Sequence, residues 1–208
     1  MTGFCWTLAL AAAFSILPEL GPIPDPRPVP QAPVGACAAR LLQAGAVLAA
    51  KSPVVEAIGC AIADPVEISA LPGGLAVTPP ALMDCAAAET LAAFASGPMQ
   101  EIARRELGQK VTMLHQDSAY VCRTRNGGGK LSEHAYGRAI DLAAFEFASR
   151  NPVKVQAMPA SPEARFLEAV RRAACGPFST VLGPGSDADH ASHFHFDVQP
   201  RKGNPFCQ

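Results

Sequence analysis

The chain has 208 residues, 49% of them apolar, and a formal net charge of −1. That length supports one domain with a substantial core, and hardly two large ones. The balanced charge gives no electrostatic case for nucleic acid or for an anionic membrane surface as a partner.

Residues 1–20, "MTGFCWTLALAAAFSILPEL", form an apolar leader. The apolar run is short for a bilayer, which needs about 20 such residues, so no stable membrane span is expected. A cleaved export signal fits better, although neither Lys nor Arg precedes the run. Cys5 stands before the run rather than after it, which argues against a lipid-modified cysteine. From Pro18 to Pro33 proline recurs almost every second residue. Proline fixes φ and lacks a donor, so residues 21–35 read as an extended, semi-rigid spacer. The folded domain is then 36–208.

Within that domain "CAARLLQAGAV" reads as a short helix with Leu41 and Leu42 on its buried side. Two extended pieces follow, "VEISAL" and "GLAVTP", joined by the Pro-Gly-Gly turn at residues 72 to 74. Asp84 caps a long helical pattern, which Gly97-Pro98 should kink or break. "QKVTMLHQ" and "SAYVCRT" are rich in β-formers and read as a pair of strands, and "NGGGK" is a loop. "AIDLAAF" is a strand, and Ser161-Pro162-Glu163 starts a helix. "FSTVLGPG" and "HFHFDVQP" supply two closing strands. The pattern indicates an α+β single domain: a small, largely antiparallel sheet flanked by helices.

Seven cysteines occur, and setting Cys5 aside leaves Cys37, Cys60, Cys85, Cys122, Cys175 and Cys207. None forms a C-x-x-C pair, so a thiolate zinc site or a local redox pair has no support. Six dispersed cysteines behind an apolar leader fit a disulfide-stapled exported domain, with reduced, buried thiols as the alternative. Proximity suggests Cys37 with Cys60, and sequence goes no further.

All five histidines lie between residues 115 and 195. In "LSEHAYGRAIDL" a turn carries His134 and the strand carries Asp141, with small residues between them. Either this is an ordinary turn before a buried strand, or both side chains aim at one metal ion. In "DADHASHFHFDV" strand alternation puts His193 and His195 on one face and Phe194 and Phe196 on the other. The bland counterpart is two surface histidines on an edge strand. Taken together the segments offer His, Asp and His, a ligand set that leaves one position open, as catalytic zinc requires. Imidazole and carboxylate suit Zn2+ better than magnesium or calcium. Bound zinc polarises a carbonyl and makes water more acidic, so amide hydrolysis is the natural reaction. No G-x-S-x-G elbow, H-E-x-x-H helix or P-loop competes, and no pair of acids stands out.

"SEHAYGRAID" and "HFH" resemble the S-x-H-x-x-G-x-A-x-D and H-x-H motifs of metallopeptidases. These include D-alanyl-D-alanine carboxypeptidases, lysostaphin-type enzymes and penicillin-insensitive murein endopeptidases. From Cys37 to Cys207 the chain resembles more closely the bacterial extensin-like carboxy-terminal domain family. "CAIADPVEISAL", "YVCRTRNG", "LSEHAYGRAIDL", "VLGPG" and "HFHFDV" carry that likeness. The resemblance implies His134, Asp141 and His195 as zinc ligands, with His193 beside the reacting water. It implies His190 as a further histidine of the murein endopeptidase branch. Arg123 resembles an arginine that contacts a substrate carboxylate or the developing oxyanion, against the plainer reading of a surface arginine paired with an acid.

One departure stands out. Carboxypeptidase-type relatives place an acid three residues before the last ligand, where this chain has Ser192. Either His193 or His190 then takes the proton, with Asp187 and Asp189 as substitutes on the same loop, or activity is weak or absent. The resemblance therefore implies an exported, periplasmic zinc peptidase acting on peptidoglycan peptide stems. The alternative is a non-catalytic peptidoglycan-binding module that keeps zinc for stability. Which bond is cleaved is not encoded in any of these motifs.

Overall fold

The computed structural model describes Met1 and residues 35–208. The apolar leader and nearly all of the proline-rich spacer lie outside the described residues. The domain begins with α1 (Ala36–Gln43), followed by β1 (Val47–Ala50), β2 (Val54–Val55), β3 (Ala61–Ile62), β4 (Pro65–Leu71) and β5 (Leu75–Asp84). Next come α2 (Cys85–Ser96), α3 (Pro98–Leu107) and β6 (Val111–Ser118), then a 3-10 turn at Glu133–Tyr136. The remaining elements are β7 (Ala139–Phe147), β8 (Arg150–Lys154), α4 (Pro162–Ala174), β9 (Thr180–Leu182), β10 (Phe194–Asp197) and β11 (Phe206–Cys207).

The main sheet runs β1-β4-β5-β6-β7-β10-β9-β11, with β8 also on β7. Only the β5–β6 and β9–β11 pairs are parallel, so the α+β, largely antiparallel expectation holds. Because β5 and β6 are parallel, the chain must cross over between them, and α2 and α3 form that crossover. Asp84 caps α2 by accepting from Ala86 N at 3.1 Å. The break expected at Gly97-Pro98 separates α2 from α3. Ser161 Oγ accepts from Ala164 N at 3.0 Å and so starts α4 where the sequence indicates.

A cluster of phenylalanines fills the core between sheet and helices. Phe194 and Phe196 of β10 stack on each other, and Phe94 of α2 meets Phe196 edge-on with centroids 6.0 Å apart. Phe145 of β7 meets Phe166 of α4 in the same manner at 5.2 Å. All five are essentially inaccessible to solvent. Truncating one to alanine costs about 3–5 kcal/mol in a packed core. This cluster fixes which face of β7 and β10 points inward, and therefore which residues point the other way.

Three expectations need correction. Segment "SAYVCRT" is not a strand partner of β6; beyond Ser118 it is irregular, with only an isolated bridge from Thr124 to Leu131. It is held by a disulfide from Cys122 to Cys60 and by Tyr120 Oη donating to Glu56 at 2.5 Å. Cys37 pairs with Cys85 rather than Cys60, because the end of β5 returns beside α1; Cys175 pairs with Cys207. Finally Leu42 is 41% exposed, since α1 stops before Gly45 and buries only Ala38 and Leu41. Among the described residues no helix is long and apolar enough to cross a membrane.

Candidate metal centre

The sheet register assembles the centre. His195 of β10 is the direct antiparallel partner of Asp141 of β7, flanked by the pairs Phe194–Leu142 and Phe196–Ile140. Alternation sends those flanking side chains into the core, so His195 and Asp141 must share the opposite face. His195 Nδ1 lies 2.9 Å from Asp141 Oδ1. His134 arrives from the 3-10 turn, where Ser132 caps the first residues and Gly137 closes the turn at φ 63°. A side chain at 137 would meet Asp84 N and Ile62 Cδ1 at 2.6 Å, so only glycine lets the turn lie this close to the sheet.

His134 is fully buried, Asp141 5% exposed and His195 9% exposed. His134 Nε2 lies 3.2 Å from both His195 Nδ1 and Asp141 Oδ2. The outward nitrogens settle the tautomers. His134 Nδ1 faces the carbonyl oxygen of Ala119 at 2.5 Å, and a carbonyl only accepts, so Nδ1 carries the proton. His195 Nε2 faces Asp197 Oδ2 at 3.2 Å and donates in the same way. Where neither ring carries a second proton, the inward nitrogens are left as acceptors beside the Asp141 carboxylate. Three acceptors converging on one point repel one another unless positive charge sits between them.

That demand shows in the protonation of the group. Burial opposes charge on His195, but the hydrogen bonds it donates to the Asp141 and Asp197 carboxylates outweigh it and raise its pKa to about 9. Burial likewise opposes charge on Asp141, yet His134 and His195 hold it far below the usual carboxylate range. A proton on His195 supplies the missing charge in one way. A divalent cation supplies it in another, and these three donor atoms, all within 4.8 Å of one another, could hold one. The donor chemistry fits zinc, and the carboxylate and carbonyl behind the two imidazoles are the usual supports for such ligands. Cys37, Asp64 and Cys85 also cluster, but both sulfurs are consumed in a disulfide.

The centre opens into a cleft of about 420 Å³. His193 and His190 both line it, with ring centroids 5.3 Å apart, and His193 Nε2 lies 3.7 Å from Asp141 Oδ1. Burial, together with the neighbouring His190 and His195, pushes the His193 pKa down, so its ring is neutral at pH 7. His190 Nδ1 donates to Asp187 Oδ1 at 2.6 Å, and Asp187 also accepts from His190 N. Asp189 is engaged by Asn126 Nδ2 at 2.8 Å. Ser192 is exposed and does not line the cleft. Arg123 does line it, and among the described residues its side chain donates only to the adjacent Thr124 carbonyl. His115 lies elsewhere, paired with Glu146.

Sequence reading missed Asp197, Glu133, Arg125 and Arg201. Asp197 was open to discovery, because it stands two residues beyond His195 on one strand face. Glu133 is buried; one oxygen accepts from Arg125 at 3.2 Å, and the other lacks a hydrogen-bond partner among the described residues. Burial and the nearby Asp197 raise its pKa. Nothing in the local pattern signals that environment.

Neither a curated protein nor a solved structure matches the chain. The sequence model described as extensin-like protein C-terminus matches residues 35–208, which includes every residue of the centre and of its cleft. The chain belongs to the extensin-like protein C-terminus family.

Proposed function

We propose that the protein is an exported zinc-dependent peptidase that hydrolyses peptide bonds in peptidoglycan. One observation carries the reading. His134 Nε2, His195 Nδ1 and the Asp141 carboxylate, three groups able to ligate a cation, converge on one point at the base of an open cleft. The likeness of "SEHAYGRAID" and "HFH" to peptidoglycan metallopeptidase motifs supports the same chemistry. Three disulfides favour an oxidising compartment such as the periplasm.

His134, Asp141 and His195 would hold the zinc, which supplies Lewis acidity towards a peptide carbonyl and an attacking water. The remaining steps fall to the chain's own side chains. His190, with Nδ1–H fixed on Asp187, presents Nε2 as an acceptor; it takes a proton from water as the O–C bond forms. The same proton passes to the amine nitrogen as the C–N bond breaks. His193, neutral and lining the cleft, is the alternative acceptor. Arg123, which meets no carboxylate among the described residues, would bind a substrate carboxylate or the carbonyl oxygen as charge grows on it.

Metal analysis of the purified protein and digestion of purified sacculi test the reading. Expected are one bound zinc per chain, new amino termini in the digest by mass spectrometry, and loss of both in His195→Ala. Zinc-loaded protein that releases no amino termini overturns the enzymatic part, and metal content indifferent to His195→Ala overturns the whole. A second reading has one observation in its favour: Ser192 stands exposed where relatives carry an acid, and Asp189 is already engaged by Asn126. On that reading the protein binds sacculi without cutting them.

A further inference from the structure

Five carboxylates and three guanidinium groups line the cleft, and they do not all cancel. Every acid has a partner. Asp141 and Asp197 are taken up by His195, Asp187 by His190 and Asp189 by Asn126, while Glu133 is paired with Arg125. Arg123 and Arg201 are left, and neither meets a carboxylate among the described residues.

Of the two, Arg201 is the more firmly set. Its Nη2 donates to Thr180 Oγ1 at 2.8 Å, and its Cζ lies over the Phe206 ring at 5.6 Å from the centroid. Both supports are themselves anchored. Phe206 is the β11 partner of Thr180 on β9, and the next residue, Cys207, is disulfide-bonded to Cys175 at the end of α4. Thr180 is also the cross-strand partner of Asp197, whose carboxylate holds His195. The guanidinium therefore stands one strand away from the metal-ligand pair, fixed on an aromatic face and a hydroxyl. Only part of its donor fork is used. A fixed guanidinium with spare donors in a cleft, and no internal anion, matches a planar carboxylate from a ligand.

We propose that Arg201 is a specificity-determining residue that binds a carboxylate of the substrate, so that the cleft selects acidic peptides over neutral ones. This rests on the peptidase reading above and narrows its substrate class. Arg123 is a second, separate cation, so the preferred peptide carries a carboxylate at Arg201 whatever group Arg123 holds. The carboxylate has two possible sources, a peptide terminus or an acidic side chain.

Calorimetric titration of the full chain, with zinc added, tests this with four peptides. N-acetyl-Ala-Glu-Ala is compared with its terminal amide, with N-acetyl-Ala-Gln-Ala, and with the doubly neutral amide of the latter. A charge-assisted hydrogen-bonded pair predicts about tenfold tighter binding for a carboxylate peptide over the neutral one. Whichever single-carboxylate peptide keeps that gain identifies the source. In Arg201→Gln the gain is lost with zinc content unchanged, and Arg201→Lys keeps part of it. Equal binding of all four peptides overturns the proposal, as does a gain that survives in Arg201→Gln. If the gain depends on Arg201 while no peptide or sacculus is ever cleaved, the anion site stands and the peptidase reading falls.

Discussion

His195 and Asp197 stand two residues apart on β10, on one face, and Asp197 Oδ2 accepts from His195 Nε2 at 3.2 Å. The carboxylate fixes the tautomer, so that Nδ1 is the nitrogen turned towards Asp141 and His134. It also makes the imidazole a stronger donor to a cation. Replacing Asp197 with asparagine keeps the shape, removes the charge and frees the ring to take the other tautomer. Zinc affinity should fall by about 10–100-fold in Asp197→Asn, the usual effect of losing such a support. Competition against a chelator of known affinity measures it, and an unchanged affinity would show that His195 is held by the sheet alone.

Protonation of the same group predicts how the metal-stripped protein responds to pH. The folded pKa of His195 is raised to about 9, against an unfolded value of about 6.5. Its contribution is complete below pH 6.5 and is lost as pH rises through about 9. Asp141 is depressed, so its contribution is present above about pH 4 and is lost in acid. For this pair the stripped protein is most stable between about pH 4 and 6.5, and it weakens towards pH 9. Zinc needs the unprotonated nitrogen, so its affinity climbs across that alkaline interval. Urea melts at pH 6 and pH 9 check the first half, and His195→Gln should flatten the difference between them.

These relationships show what a linear sequence can carry. His134, Asp141 and His195 were legible because residue spacing and strand alternation act locally: Phe194 and Phe196 bracket His195 and fix its face. Asp197 obeyed the same alternation and could have been read with them. Thr180 and Arg201 could not, since their place depends on β9 pairing with both β10 and β11. The disulfides were illegible for a similar reason: Cys37 meets Cys85 only because β4 and β5 fold back to α1. Segment "SAYVCRT" misled because β-forming side chains do not reveal that a disulfide and the Tyr120–Glu56 bond hold the chain outside the sheet. The short strands β8 and β11 carry too few residues, and β8 a proline, to show a period.

Gly137 ties the fold to the centre. Its positive φ and the 2.6 Å approach to Asp84 N and Ile62 Cδ1 leave no room for a methyl group. Gly137 O also accepts from Asp84 N at 2.9 Å, joining the His134 turn to the cap of α2. In Gly137→Ala, left-handed strain and the clash together should cost about 2–4 kcal/mol of stability. Urea denaturation measures that loss, and zinc content should drop with it as His134 is displaced.

The Cys60–Cys122 disulfide spans 62 residues and ends one residue before Arg123. It joins the β2–β3 hairpin to an irregular segment with little sheet pairing of its own. Removing it in Cys60→Ala/Cys122→Ala should cost about 2–5 kcal/mol. Loss of the tether should also loosen Arg123, so peptide binding should weaken more than stability alone explains. Calorimetric binding under fully native conditions separates the two effects.

On the proposed peptidase reading either His190 or His193 takes the proton, and substitution can resolve which. His190 is backed by Asp187 at 2.6 Å, as a general base is commonly oriented, while among the described residues His193 has only Asp141 at 3.7 Å, a group already taken up by His134 and His195. If His190 is the base, His190→Ala lowers turnover of a peptidoglycan substrate by about 10²–10⁴-fold while zinc content holds. Asp187→Asn should then give a smaller loss of the same kind, because the ring remains but its orientation is no longer fixed. His193→Gln should act mainly on substrate affinity, since its neutral ring lines the cleft. The reverse ranking, with turnover lost in His193→Gln and kept in His190→Ala, would move the base to His193 and leave Asp187 holding the loop. Side-by-side turnover and binding constants for the three variants decide the matter.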